Sequence, residues 1–279
     1  MGSAVPAPPA LVAEACELLR AAPTRAPLTL TPDLDPPSGL VGWHPVTRLT
    51  EIPFVSDLVA AYSAGLATRH LAVGGACGLQ HYAGRFVLAA IGAWVQTSAV
   101  PDMDHSAWRV KLDESGHTVS VAPPVTGATH VGTAQDAASE IITAHLGPIV
   151  AAVREVSRIT ERVAHGCIAA SCAGTFATLY RRTPPQRQRH LADLADAFLG
   201  APAWPGGRPL VDLQEIDVPT GPALVHQRNV CCLIRLGRRH GACGTCPDID
   251  PDERMTRIIR HATAAARGTD LPLGVPGVS

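Results

Sequence analysis

Apolar positions recur at helical spacing over residues 8–22, and the proline-rich run over 23–38 then breaks the pattern, which predicts a peripheral first helix. The same periodicity returns at about 57–70 and again at about 76–97. Ser56 is the expected N-cap of the first of these helices and Gly74-Gly75 the expected break between the two, so this pair is the expected core. The most apolar stretch, Phe86 to Val100, is shorter than the roughly 20 residues that span a bilayer and carries Gln96, Thr97 and Ser98. It reads as a buried helix, and no transmembrane segment is expected.

Further on the period changes from that of a helix to that of a strand. Trp108-Arg-Val-Lys-Leu and His117-Thr-Val-Ser-Val alternate with period two around Asp113-Glu-Ser-Gly, the pattern of a hairpin. Thr133 to Tyr180 returns to helical spacing, with interruptions expected near Gly147-Pro148 and Gly166. Leu191 to Leu199 predicts a short helix, the Pro/Gly stretch 200–209 a connector, and about 252–267 a last helix. The sum is an α+β chain: a helix-rich body with a small antiparallel sheet over residues 1–205, and a cysteine-bearing C-terminal segment over 206–279.

Composition narrows the function classes. With 46% hydrophobic residues in 279, the chain can bury a full core, and a formal net charge of -1 supplies no global field for gathering nucleic acid or an anionic membrane. No nucleic-acid partner is expected. The N-terminus MGSAVPAPPALVAEACELLR has no basic region ahead of its apolar residues, and Pro6 stands where a myristoylation signal wants Ser or Thr. The expected location is therefore the cytoplasm, where eight cysteines are better read as reduced thiols or metal ligands than as disulfides.

Four of those cysteines form a constellation. Cys243 and Cys246 make a C-x2-C turn, with Gly244 and Thr245 between and Pro247 after, a spacing that lets two thiolates converge on one metal. Cys231 and Cys232 are adjacent, and neighbouring side chains on an extended backbone point to opposite faces, so both serve one site only if the chain turns there. A two-iron cluster accommodates such a pair more readily than a single tetrahedral zinc, which usually takes ligands from two spaced turns. Around and between the two pairs lie Arg228, Arg235, Arg238 and Arg239. Their charge would offset an anionic thiolate-ligated cluster and raise its reduction potential, or else simply solvate a loop.

The run CCLIRLGRRHGACGTCP resembles the cluster segment of the FhuF-like ferric siderophore reductases, whose ligands follow a C-C-x10-C-x2-C pattern. The specific resemblance covers about 20 residues. It implies that Cys231, Cys232, Cys243 and Cys246 ligate a 2Fe-2S cluster and that the chain is an oxidoreductase acting on metal ions. The implied reaction passes one electron to iron(III) in a ferric siderophore and releases iron(II) in the cytoplasm. Leu233 to Ala242 is more basic than this family leads one to expect. No dinucleotide fingerprint follows a strand, so electrons are expected from an external donor such as a ferredoxin or a reduced flavin.

Other features carry less. Cys16, Cys77, Cys167 and Cys172 read as buried inert thiols. His44, His81, His105, His130 and His165 form no i, i+4 pair and read as core or surface residues. Arg85 with His81 and Tyr82, and Arg181-Arg182, are candidate contacts for a polar chelate, although each also suits an ordinary helix end. Two further readings stay open: a zinc-stapled structural or interaction protein, and an iron or redox sensor.

Overall fold

A computed structural model describes residues 5–6, 39–124, 127–238 and 240–268. The helix expected over 8–22, with Cys16, lies outside them. Helix α1 (Ile52–Gly65) starts after Glu51, whose backbone is extended, with Pro53 in the first turn, where its missing amide is no loss. Ser56, the expected cap, is therefore one turn inside the helix. The break between the first two core helices comes at Ala67, which takes a left-handed φ of 52°, not at Gly74-Gly75.

Helix α2 (Leu71–Thr97) runs straight through both glycines, because they mark helix crossings. A Cβ on Gly74 would lie 2.1 Å from Ser63 Oγ and 2.4 Å from the Val59 carbonyl of α1, and one on Gly75 would lie 2.4 Å from Ser157 Oγ. Gly74→Ala is expected to push α1 away and cost about 1–3 kcal/mol, read as a lower urea midpoint at unchanged slope. An unchanged midpoint would mean that α1 and α2 do not approach this closely.

The expected hairpin is present as β4 (Arg109–Leu112) and β5 (Thr118–Ala122), and β2 (Gly42–Pro45) adds to it on the β4 side, with Val110 opposite Val121 and Trp43 opposite Lys111. There is more than the one sheet the sequence suggested. A second antiparallel sheet runs in the order β1 (Val5–Pro6), β6 (Ala128–His130), β3 (Ala99–Pro101), and a third is the ribbon of β7 (Val211–Val218) and β8 (Gly221–Arg228). The fold class is α+β, dominated by helix.

Thr133 caps α3 (Ala134–Ala138) through its Oγ1, which accepts from the Asp136 amide. The helix then widens into a π-helical segment, Ser139–Leu146, and tightens again as α4 (Gly147–Ser157). The interruption expected at Gly147-Pro148 is thus a change of winding, with Pro148 in the first turn of α4. The chain breaks at Arg158, φ 59°, and Thr160 caps α5 (Glu161–Tyr180) by accepting from the Val163 amide at 3.2 Å. Gly166 does not interrupt α5; a Cβ there would lie 2.5 Å from Val230 Cβ, so it too is a close-packing glycine. Helix α6 (Pro185–Leu199) begins earlier than Leu191, and α7 (Pro251–Ala266) is capped by Asp250, which accepts from the Asp252 and Glu253 amides.

The core lies where α2 packs on α5, with α1, α4 and α6 around them and Phe86, Trp108, Phe176 and Phe198 inside. Helix α5 is long and apolar enough to cross a membrane, but 78% of its apolar window is buried inside the protein, as in the core helix of a globular fold. The π segment places His145 in this core. Its Nδ1 donates to the Met103 carbonyl at 2.9 Å, so its Nε2 accepts from the Tyr82 hydroxyl at 2.8 Å. Burial holds its pKa down to about 3. The unfolded chain therefore binds a proton below about pH 6.5 that the folded chain refuses, so stability is present above that pH and lost as pH falls toward 3. Urea midpoints from pH 7.5 to 5 are expected to decline, and His145→Gln to flatten that decline; an equally steep variant would remove His145 as its cause.

Candidate metal centre

Strand β8 delivers Arg228 to the edge of the α2–α5 core, and the vicinal cysteines follow three residues later. The turn that two adjacent thiols require is made at Leu233, which adopts a left-handed φ of 65°, uncommon for a leucine. Its amide donates to Cys231 Sγ at 3.4 Å, and a single 3-10 turn, Ile234–Leu236, continues the chain. On the other side the Cys246 amide donates to the Cys243 carbonyl at 3.1 Å, which closes the C-x2-C turn.

Helix α7 braces that turn from outside. Arg257 Nη1 donates to the Ala242 carbonyl at 3.2 Å and Arg254 Nη1 to the Cys246 carbonyl at 3.5 Å, while the Arg228 amide ties the end of β8 to the Thr245 carbonyl at 3.3 Å. The main apolar cluster continues through Leu224, Val230, Cys232 and Ile234, so the inner half of the cysteine segment is packed into the body.

Two of the four expected ligands, one from each half of the pattern, converge beside a carboxylate. Cys231 Sγ, Cys246 Sγ and a carboxylate oxygen of Asp248 lie within 4.8 Å of one another. Cys77 Sγ donates to the Cys232 carbonyl at 3.5 Å, and the Cys243 thiol lies near Cys232. The neighbouring Cys243 and Cys77 thiols, helped by the nearby Arg228 charge, hold the Cys232 thiol below its ordinary pKa. Cys243 and Cys77 are correspondingly pushed up, first by the neighbouring Cys232 sulfur and then by their own burial. Burial raises the Cys231 thiol, against the Leu233 amide.

The arginines divide into different roles. Arg228 is only 2% exposed and fully engaged: Nη1 donates to Gln80 Oε1 at 2.8 Å, Nε to the Val230 carbonyl at 3.2 Å and Nη2 to Cys167 Sγ at 3.6 Å. Burial works against its charge, yet the facing Cys167, Cys232 and Cys243 sulfurs hold its pKa above the ordinary value. Arg235 pairs with Asp248, Nη2 at 2.8 Å and Nε at 2.9 Å, at a partly exposed edge where such a pair contributes little to stability. Arg238 is exposed, and Arg239 lies outside the described residues.

Three site residues escaped the sequence reading. Cys77 is buried as expected but touches Cys232, and Cys167 is buried, its pKa raised to about 12 chiefly by that burial, yet it receives Arg228. Both come from distant helices, α2 and α5, and no local pattern marks them. Asp248, two residues after Cys246, did offer a signal: a carboxylate at short spacing from a thiolate turn. Cys172 is buried in α5. Among the described residues no histidine joins a group of metal-ligating atoms. His81 Nδ1 instead meets the Tyr62 hydroxyl at 3.1 Å, its ring 5.3 Å from that of His117. Tyr82 is 3% exposed and turned inward onto His145, which removes it from any surface shared with Arg85, whose Nε donates to the Val119 carbonyl.

The donor chemistry suits a thiolate-ligated cluster: Cys231 and Cys246 converge beside Asp248, Cys232 and Cys243 stand on the adjoining turns, and Arg228 is a buried cation able to offset thiolate charge. Four cysteines on one zinc would need every sulfur within about 3.8 Å of the others, given a metal–sulfur bond near 2.3 Å. Among the described residues only the Cys231, Cys246 and Asp248 group comes within 4.8 Å throughout. Comparison of the chain with protein-family models and with curated proteins finds no match.

Proposed function

We propose that this chain is a ferric-siderophore reductase, carrying a 2Fe-2S cluster on Cys231, Cys232, Cys243 and Cys246 and passing one electron to chelated iron(III). The observation that carries the reading is the meeting of both halves of the C-C-x10-C-x2-C pattern at one half-buried site, as the resemblance to FhuF-like reductases leads one to expect. Such a cluster supplies reversible one-electron transfer. The chain's own residues do the rest: Arg228 lends a buried positive charge, the Cys77 thiol donates to the Cys232 carbonyl and steadies the vicinal turn, and packing of Val230 and Ile234 keeps water from the inner side.

At the outer side Cys231, Arg235 and Asp248 reach solvent, and a chelate or an electron donor can approach there. Iron(III) is a hard ion gripped by oxygen ligands, and iron(II) is more labile in them, so reduction is release. The donor on this reading is an external ferredoxin or reduced flavin, and the compartment is the cytoplasm. Protein reduced under anaerobic conditions and mixed with a ferric hydroxamate, with a ferrous trap present, is expected to be reoxidised with one iron(II) trapped per protein. A reduced centre that no ferric chelate reoxidises would remove the reading.

The Cys231, Cys246 and Asp248 group favours a second reading, a zinc staple that holds the C-terminal tail on the body. It predicts colourless protein with one zinc and no sulfide after anaerobic purification.

A further inference from the structure

The connector after α6 and the end of β8 meet beside the first turn of α5, and a cavity of about 470 Å³ opens to solvent there, lined by Arg162, Arg208, Pro209 and Asn229. Its walls are tied together. Arg162 donates through Nη1 to the Arg208 carbonyl at 2.8 Å and through Nη2 to the Pro209 carbonyl at 3.1 Å, and the Asn229 amide donates to the Leu210 carbonyl at 3.0 Å. The cysteine segment starts at this rim. Asn229 stands two residues before Cys231, so their Cα atoms are no more than about 7 Å apart. Val230, between them, packs on Gly166, one turn along α5 from Arg162.

The lining is cationic. Carbonyls occupy two of the N–H groups of Arg162, and among the described residues no carboxylate pairs with it, while the exposed Arg208 side chain has no partner at all. Asp212 touches the rim but is engaged by Asn229 Nδ2 at 2.9 Å. Two guanidiniums without a carboxylate suit an oxyanion, which the planar fork takes with two parallel hydrogen bonds. The volume is that of a small-molecule site rather than of a bare ion.

We infer that this cavity binds the phosphate or carboxylate group of a small redox molecule and holds that molecule beside the cysteine segment, with Arg162 and Arg208 as the anion contacts. Its place in turnover rests on the reductase reading above. The molecule is then either a phosphate-bearing reduced flavin that gives up the electron or a carboxylate-bearing ferric chelate that receives it.

The test is isothermal titration of the oxidised full chain at low ionic strength, with flavin mononucleotide, riboflavin, ferric citrate and a ferric hydroxamate free of carboxylates as probes. The expected result is that flavin mononucleotide binds about tenfold tighter than riboflavin, or ferric citrate about tenfold tighter than the hydroxamate, and that Arg208→Met loses the preference. The first preference makes a donor's phosphate the ligand, the second a chelate's carboxylate. Added salt should weaken either one. Arg208→Met breaks no bond within the fold, so its urea midpoint should match wild type, which separates lost binding from lost structure. Arg162→Met, which strips two carbonyls of their donor, should lower both affinity and midpoint. Wild type with neither preference, or a preference that survives in Arg208→Met, would overturn the inference. Binding here needs no cluster. A preference lost in Arg208→Met from protein without a 2Fe-2S signal would remove the reductase reading and keep the anion site, whereas an unchanged preference in protein that carries the signal would sink the anion site alone.

Discussion

Cys232→Ala is expected to abolish the reducible centre, whereas Cys172→Ala is expected to leave it intact. Both residues are buried cysteines, so the contrast isolates position from residue type. Cys232 is 3% exposed, packed into the main core, and its carbonyl accepts from the Cys77 thiol. Alanine offers no donor to the metal, while the carbonyl that accepts from Cys77 stays in place. Iron content, visible absorption and chelate reduction should all fall to background. Cys172→Ala removes one buried sulfur from α5, a cost of about 1 kcal/mol in stability, with iron content unchanged. Equal iron in wild type and Cys232→Ala would take the vicinal pair out of the ligand set.

The second large effect is expected at Arg228, in both stability and potential. A guanidinium this deeply buried is tolerated because Gln80, the Val230 carbonyl and Cys167 satisfy it and nearby sulfurs offset its charge. Arg228→Met keeps much of the packing volume but leaves the Gln80 and Val230 oxygens buried without that donor, at a cost of about 2–4 kcal/mol. It also removes a buried positive charge that faces Cys232 and Cys243, so the midpoint potential should fall. Arg238→Met, at an exposed position, should move neither quantity measurably. Chemical denaturation with a potentiometric titration reads both, and an unchanged potential in Arg228→Met would show that its role is packing alone.

The cysteine pattern was legible because it is local: a C-x2-C turn and a vicinal pair are read off adjacent residues. The need for a turn after Cys232 was also legible, though not that Leu233 would make it in a left-handed conformation. Glycines misled. Gly74, Gly75 and Gly166 looked like breaks, but each sits where a neighbouring element comes too close for a Cβ, a fact of tertiary packing that no local rule contains. The ribbon β7–β8 was overlooked although Val211-Asp-Leu-Gln-Glu-Ile-Asp-Val alternates with period two; its signal was in plain view beside the Pro/Gly connector. Cys77, Gln80 and Cys167 reach the site from α2 and α5 across long chain separations, and only the packed fold brings them there.

The four-cysteine cluster is tested most directly by iron and acid-labile sulfide analysis of anaerobically purified protein, together with its visible and reduced-state EPR spectra. The account predicts two irons and two sulfides per chain and one reducible signal; colourless protein carrying stoichiometric zinc and no sulfide would contradict it.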